Sequence, residues 1–180
     1  MSPEDSIVIS PYDPAWPGIF EAEAKRIGGA LGSAAERIDH VGSTAVPGLA
    51  AKPVIDIQVS VRVLHPLGPH LPPLFALGYT HVPHPDDATY PFLHRPSDWP
   101  HSHHIHLCEA DGQEERRSLA FRDFLREHPE AAAAYAGEKR RLASGFSSSS
   151  FESRNAYAEA KSAFIEPIIE RALLLGYPRS

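Results

Sequence analysis

The stretch that leaves this chain least freedom is Pro53-Val54-Ile55-Asp56-Ile57-Gln58-Val59-Ser60-Val61, read with the small-residue turn before it. Its apolar residues alternate, which is the period of a strand rather than of a helix. Ile55, Ile57, Val59 and Val61 fall on one face and make it a core face. Val54, Asp56, Gln58 and Ser60 fall on the other, so Asp56 projects away from the core. Arg37, Ile38 and Val41 predict a shorter strand upstream, and Gly42-Ser43-Thr44 a turn between the two. Such a turn carries free backbone N–H groups and two hydroxyls with no bulky side chain over them. It suits an anion such as phosphate. Gly42, Ser43, Thr44 and Asp56 are therefore expected to converge.

The unbroken run His40 to Ile57, HVGSTAVPGLAAKPVIDI, resembles the signature of the GrpB family. That family is similar to the nucleotidyltransferase superfamily, whose members pair a Gly-Ser turn with Asp-x-Asp on the next strand. The resemblance implies an α+β fold in which a nucleotidyltransferase-like mixed β-sheet is flanked by helices, with a helical C-terminal part. It also implies a nucleotide or other phosphorylated small molecule as ligand, a divalent metal (magnesium, manganese or zinc), and possible nucleotidyl transfer. Carboxylates in such sites hold magnesium ions that neutralise phosphate charge. Here the second carboxylate position is Gln58, which leaves a non-catalytic ligand-binding or accessory module as the alternative. Similar domains in the family are fused to dephospho-coenzyme A kinase, in keeping with that alternative.

The 180 residues suit one domain, with a sheet-bearing core over 1–112 and a helical part over 113–180. A net charge of −6 gives no basic footprint for nucleic acid. No apolar run approaches a membrane span. The opening Met-Ser-Pro-Glu-Asp lacks a charged-then-apolar pattern, and Cys108 is the single cysteine. A cytoplasmic location is expected, with no membrane partner and with Cys108 buried as a small apolar residue.

In chain order, Ile7-Val8-Ile9 predicts a short strand, and a helix follows with Asp13 as N-cap and Pro14 at its first position. Ile19, Phe20, Ala24, Ile27 and Leu31 form its apolar face, Trp16 anchors its start, and Gly32 ends it. A short helix interrupted near Pro72-Pro73 precedes a hairpin of Tyr79–Val82 and Thr89–His94, with Pro91 at an edge or bulge. His103–Glu109 predicts the next strand. Helices are expected over Gln113–His128, Glu130–Leu142 and about Arg154–Leu175, with Pro167 kinking the last or starting another.

Two further patterns carry chemistry. His104 and His106 at i, i+2 share the strand face assigned to Asp56, and imidazoles so placed can ligate a metal or bond a phosphate. The family has a similar His-x-His strand, so Asp56, His104 and His106 are the candidate catalytic and metal-binding residues. Nine of the 11 histidines lie between His65 and His106, so chance clustering competes with this reading. His84, His94, His101 and His103 read as solvated loop or strand-end residues. The second pattern is Tyr135-x-x-x-Lys139, echoed by Tyr157-x-x-x-Lys161. Each lysine lies within an apolar stripe, where it snorkels, pairs with an acid or faces a pocket. The family's similar Tyr…Lys pattern implies a basic wall, to which Arg122 and Arg126 are candidate additions. Lys52 is a candidate phosphate contact, and His40 either orients a ligand or bonds the turn. Glu114-Glu115-Arg116-Arg117 reads as a solvated face.

Overall fold

The computed structural model describes residues 7–179. Five strands form one sheet in the order β1-β2-β5-β4-β3. They are β1 (Ala35–Val41), β2 (Ile55–Val61), β3 (Thr80–His81), β4 (Phe92–Arg95) and β5 (His103–Glu109). The central pair β2 and β5 is parallel and every other pairing is antiparallel, so the sheet is mixed. Helices flank it, as expected: α1 (Trp16–Leu31), α2 (Leu71–Ala76), α3 (Gln113–Glu127), α4 (Pro129–Ala143) and α5 (Phe151–Leu174). No described helix is long and apolar enough to cross a membrane.

The alternation on β2 decides the layering. Ile55, Ile57, Val59 and Val61 are buried with Ile105, Leu107 and Leu93 against α1 and α2. Trp16, Ile27 and Leu31 come from α1 and Leu74 from α2. The opposite sheet face is covered as well, by the C-terminal helices. A second apolar cluster joins Val46 and Leu49 after the turn to Phe121, Phe124, Tyr135 and Ile169. Gln58 and Ser60 therefore have no exposed surface.

Several local expectations change. Ile7-Val8-Ile9 forms no strand; only Ser10 bridges to Ala51. Helix α1 begins at Trp16, because the Asp13 side chain accepts the Ala15 N–H and holds a turn ahead of the helix. Ile19 is exposed, while Glu23 is buried and bonded by Tyr79, Arg26 and Arg95. The pair Pro72-Pro73 lies in the first turn of α2, where a missing N–H costs nothing. The hairpin strands are shorter than expected, because residues 85–88 form a 3₁₀ turn capped by His84. Strand β4 starts after Pro91 and is interior, between β3 and β5. Helix α5 runs through Pro167 without dividing. Glu115 is buried rather than solvated.

Candidate functional site

Parallel register brings the candidate acid and histidines together. Asp56 stands opposite His104 and Gln58 opposite His106 on β2 and β5. Asp56, His104 and His106 thus share the sheet face turned toward the C-terminal helices. His104 Nδ1 lies 3.1 Å from Asp56 Oδ1. Gly42 permits the approach of the turn: its φ is +68°, and a Cβ there would lie 2.4 Å from Asp56 Oδ2. Burial alone would raise the Asp56 pKa. The His104 hydrogen bond and the positive charge of His104, His106 and Lys161 outweigh it and hold the carboxyl down to about 2.

Three lysines from different parts of the chain feel the charge of this carboxylate. Lys139 on α4 lies 4.5 Å from the ring centre of Tyr135, and Lys161 on α5 lies 4.7 Å from that of Tyr157. The repeated Tyr-x-x-x-Lys thus forms the same i, i+4 cation–π contact twice. Lys139 is buried, not snorkelling; it donates to Ser43 Oγ at 2.9 Å and to the Ala50 carbonyl. Lys52 sits between Tyr157 and Trp99, at 5.2 and 5.6 Å. Burial pushes Lys139 down to about 7, with help from the charge of Lys161 and against the pull of Asp56. Burial and Lys52 push Lys161 down to about 8, again against Asp56. Lys52 is lowered by burial too, opposed by Asp56. Tyr157 is fully enclosed, and its hydroxyl lacks a hydrogen-bond partner among the described residues.

Two of the turn's neighbours play structural parts. Thr44 Oγ1 donates to the Val54 carbonyl and accepts from His40 Nε2 at 2.9 Å, so its hydroxyl is spent inside the fold. His40 pairs with Ile57 in register and so belongs to the α1 face, where it stacks on Phe20. Burial lowers its pKa to about 4, keeping the ring neutral at pH 7. Arg122 and Arg126 also lie away from the lysines. They bond the His40 and Ala45 carbonyls and, with His40 and Tyr12, line a separate cavity of about 300 Å³.

The structure adds members that the sequence reading passed over. His101 is not the solvated loop residue expected: its Nδ1 lies 3.1 Å from His104 Nε2. Its ring stacks on His94 at 3.9 Å, and His94 and His103 are buried rather than solvated. His103 faces the α1 side and meets Arg95 at 3.1 Å. Trp99 lies beneath Arg154, 4.4 Å away, at the rim beside Lys52. Tyr90 stacks on His106 at 4.7 Å, bonds Ser118 and reaches Gln58. One cue was available: Trp99 and His101 come from the short loop joining the His-x-His strand to its neighbour. Cys108 is buried, and burial pushes its thiol up to about 11.

For the expected metal, the donors decide. Among the described residues Asp56 is the one carboxylate here, and its Oδ1 already takes a hydrogen bond. His104 has both ring nitrogens engaged. Gln58, where a second carboxylate would be needed, is sealed beneath Tyr90 and has no exposed surface. Among the described residues no group of three His, Cys, Asp or Glu side chains is arranged to hold a metal ion. This donor set does not fit the paired carboxylates that magnesium takes in phosphate chemistry.

A family model described as GrpB protein matches residues 6–171. A UPF0157 protein of Halalkalibacterium halodurans is 39% identical over 169 residues, covering 93% of this chain and 83% of that protein. A crystal structure of conserved protein GrpB from Enterococcus faecalis matches with a TM-score of 0.81 at 34% identity, covering 92% of this chain and 97% of that one. A dephospho-CoA kinase of Mycolicibacterium paratuberculosis is 35% identical over 156 residues, which is 72% of this chain and 38% of the kinase.

Proposed function

The chain belongs to the GrpB family, and from that premise and the site's geometry we propose that the groups around Asp56 bind a small phosphate-bearing molecule of the nucleotide class. One observation carries the reading. Lys52, Lys139 and Lys161 share one nearby carboxylate, Asp56, and burial lowers all three pKa values against its opposing pull. A phosphate supplies the missing negative charge. It restores the ammonium forms and gains from their desolvated surroundings. Ser43 Oγ and the half-buried rim cation Arg154 add polar groups around the same space. The half-buried indole of Trp99 is the aromatic surface for a base or another flat group, since the Tyr135 and Tyr157 rings are buried and covered by Lys139 and Lys161.

In this reading the lysines neutralise phosphate charge in place of metal ions, and the ligand is held by side chains alone. A non-catalytic binding or accessory role is the second reading. It is favoured by the burial of Gln58 and by the dephospho-CoA kinase relative, in which the similar segment is part of a longer chain. Metal-dependent nucleotidyl transfer is the outcome that a metal requirement would bring back.

The test is a thermal-shift and calorimetric series with ADP, ATP and inorganic pyrophosphate, in EDTA and then with magnesium, manganese or zinc. Binding in EDTA is expected, with stabilisation of about 2.7 kcal/mol at a hundredfold excess over Kd. Replacing Lys52 and Lys161 together by Met is expected to abolish it. No response to any of the three probes under any metal condition would overturn the proposal.

A further inference from the structure

Asp56, His104 and His101 form a continuous line of hydrogen-bonding groups. Asp56 Oδ1 to His104 Nδ1 is 3.1 Å, and His104 Nε2 to His101 Nδ1 is 3.1 Å. The chemistry of the groups fixes where the protons sit. Asp56 is ionised and only accepts, so His104 holds its proton on Nδ1. In the neutral ring His104 Nε2 is then bare and must accept. The donor to it is His101 Nδ1–H. That leaves His101 Nε2 as a lone pair, and it makes no hydrogen bond among the described residues. His94 stacked on one side and Trp99 edge-on at 5.2 Å hold the His101 ring in place.

We propose that Asp56, His104 and His101 are a proton relay whose outer end, His101 Nε2, takes the proton of a hydroxyl group beside the bound ligand. The hydroxyl belongs to water or to the ligand's own alcohol. This deepens the phosphate-ligand reading and rests on it for the nature of the substrate. The O–H bond breaks and its electron pair stays on oxygen. The proton joins His101 Nε2, and the proton on His101 Nδ1 passes to His104 Nε2. His104 becomes an imidazolium held against the Asp56 carboxylate. The positive charge therefore ends where a carboxylate awaits it, and not on His101, where burial first and then the charges of Arg154 and Lys52 disfavour it. Those same two cations favour the oxyanion left behind. No metal enters this scheme. The relay instead accounts for the engagement of the nitrogens that a metal would need. His101 is neutral at pH 7, since burial and the cations around it hold its pKa near 3. Asp56 orients the line as the carboxylate orients imidazole in a Ser-His-Asp triad.

The experiment is long-range ¹H–¹⁵N correlation of the histidine rings at pH 7.5, on the full chain without ligand. Its outcome is therefore independent of whether phosphate compounds bind. The expected pattern is Nδ1–H with bare Nε2 for both His101 and His104. In Asp56→Ala, His104 loses its anchor, Nε2–H becomes available to donate, and His101 turns over to the Nε2–H form with it. Diethyl pyrocarbonate mapping by mass spectrometry gives a second readout: wild-type His101 is modified at Nε2, and the Asp56→Ala variant loses that reactivity. An Nε2–H signal on wild-type His101 would overturn the relay without needing any variant to fold. So would a His101 tautomer and reactivity that are indifferent to a folded Asp56→Ala protein.

Discussion

Replacing Gly42 by Ala probes the contact on which the site depends. Gly42 has φ +68° and ψ −167°, a region open almost only to glycine, and a Cβ there would lie 2.4 Å from Asp56 Oδ2 and 3.0 Å from both Cβ and Cγ of Asp56. The oxygen can swing away, but Cβ is fixed to β2. Rotating the carboxylate also gives up the 3.1 Å bond to His104. Backbone strain of ~1–3 kcal/mol together with a lost charge-assisted hydrogen bond of ~1.5–3 kcal/mol gives a destabilisation of about 2.5–6 kcal/mol. For a chain of this size that lowers Tm by roughly 5–24 °C. Gly48→Ala is the control, since Gly48 has φ +78° and nothing within 4 Å of an added Cβ. It carries backbone strain without the clash. Urea unfolding and calorimetry on both variants separate the two effects, and adding Asp56→Ala to Gly42→Ala should relieve part of the clash but none of the strain. A Gly42→Ala protein no less stable than Gly48→Ala would refute the close packing of the turn on Asp56.

Three further outcomes are expected. Gln58→Asp should not build a magnesium site: position 58 has no exposed surface, so an unpaired buried carboxylate should cost ~3–5 kcal/mol, seen in urea unfolding, without any gain in magnesium affinity by calorimetry. Stability should fall as pH drops below 6.5, because unfolded chains protonate His40, His101 and His106 while the folded rings resist until about pH 4, 3 and 4. The loss should reach up to ~1.4 kcal/mol per pH unit for each ring, and a flat stability curve between pH 7 and 5 would count against neutral buried histidines. Above pH 7 Lys139 and Lys161 act with the same sign: the unfolded chain keeps protons up to about pH 10.5 that the folded one releases near 7 and 8, so the ligand-free protein should go on gaining stability from pH 7 to 9, and Lys139→Met should flatten that rise.

Much of the fold could be read from alternation. The β2 core face and the whole of β5 follow from Ile55-x-Ile57-x-Val59 and Ile105-x-Leu107, because a period of two is visible residue by residue. That Asp56, His104 and His106 share a face follows once both strands are given faces, whereas the register that sets Asp56 against His104 does not. The Tyr-x-x-x-Lys repeat was legible too, since i and i+4 must meet on a helix. What could not be read was which solvent-looking face another layer covers. Gln58, Ser60 and Glu115 are buried by helices distant in sequence, and no local pattern reports that. Arg122 and Arg126 sit on the expected helix but turn to the His40 side, a difference of helix rotation that spacing alone does not fix. His94 and His101 were lost among many histidines because their role comes from loop geometry. Asp13 misled because its side chain caps a turn one step before the helix it seemed to start.

The central claim is that undercompensated lysines around Asp56 await a phosphate, and proton linkage measures it directly. Pyrophosphate is titrated calorimetrically at pH 8 in EDTA, in two buffers of different ionisation enthalpy. At that pH Lys161 is about half protonated and Lys139 mostly neutral in the free protein. An anion that restores both ammonium groups should draw in between about 0.5 and 1.5 protons per site, with uptake shrinking as pH falls below 7. Binding with no uptake, uptake unchanged in Lys161→Met, or no binding heat at all in either buffer would contradict the account.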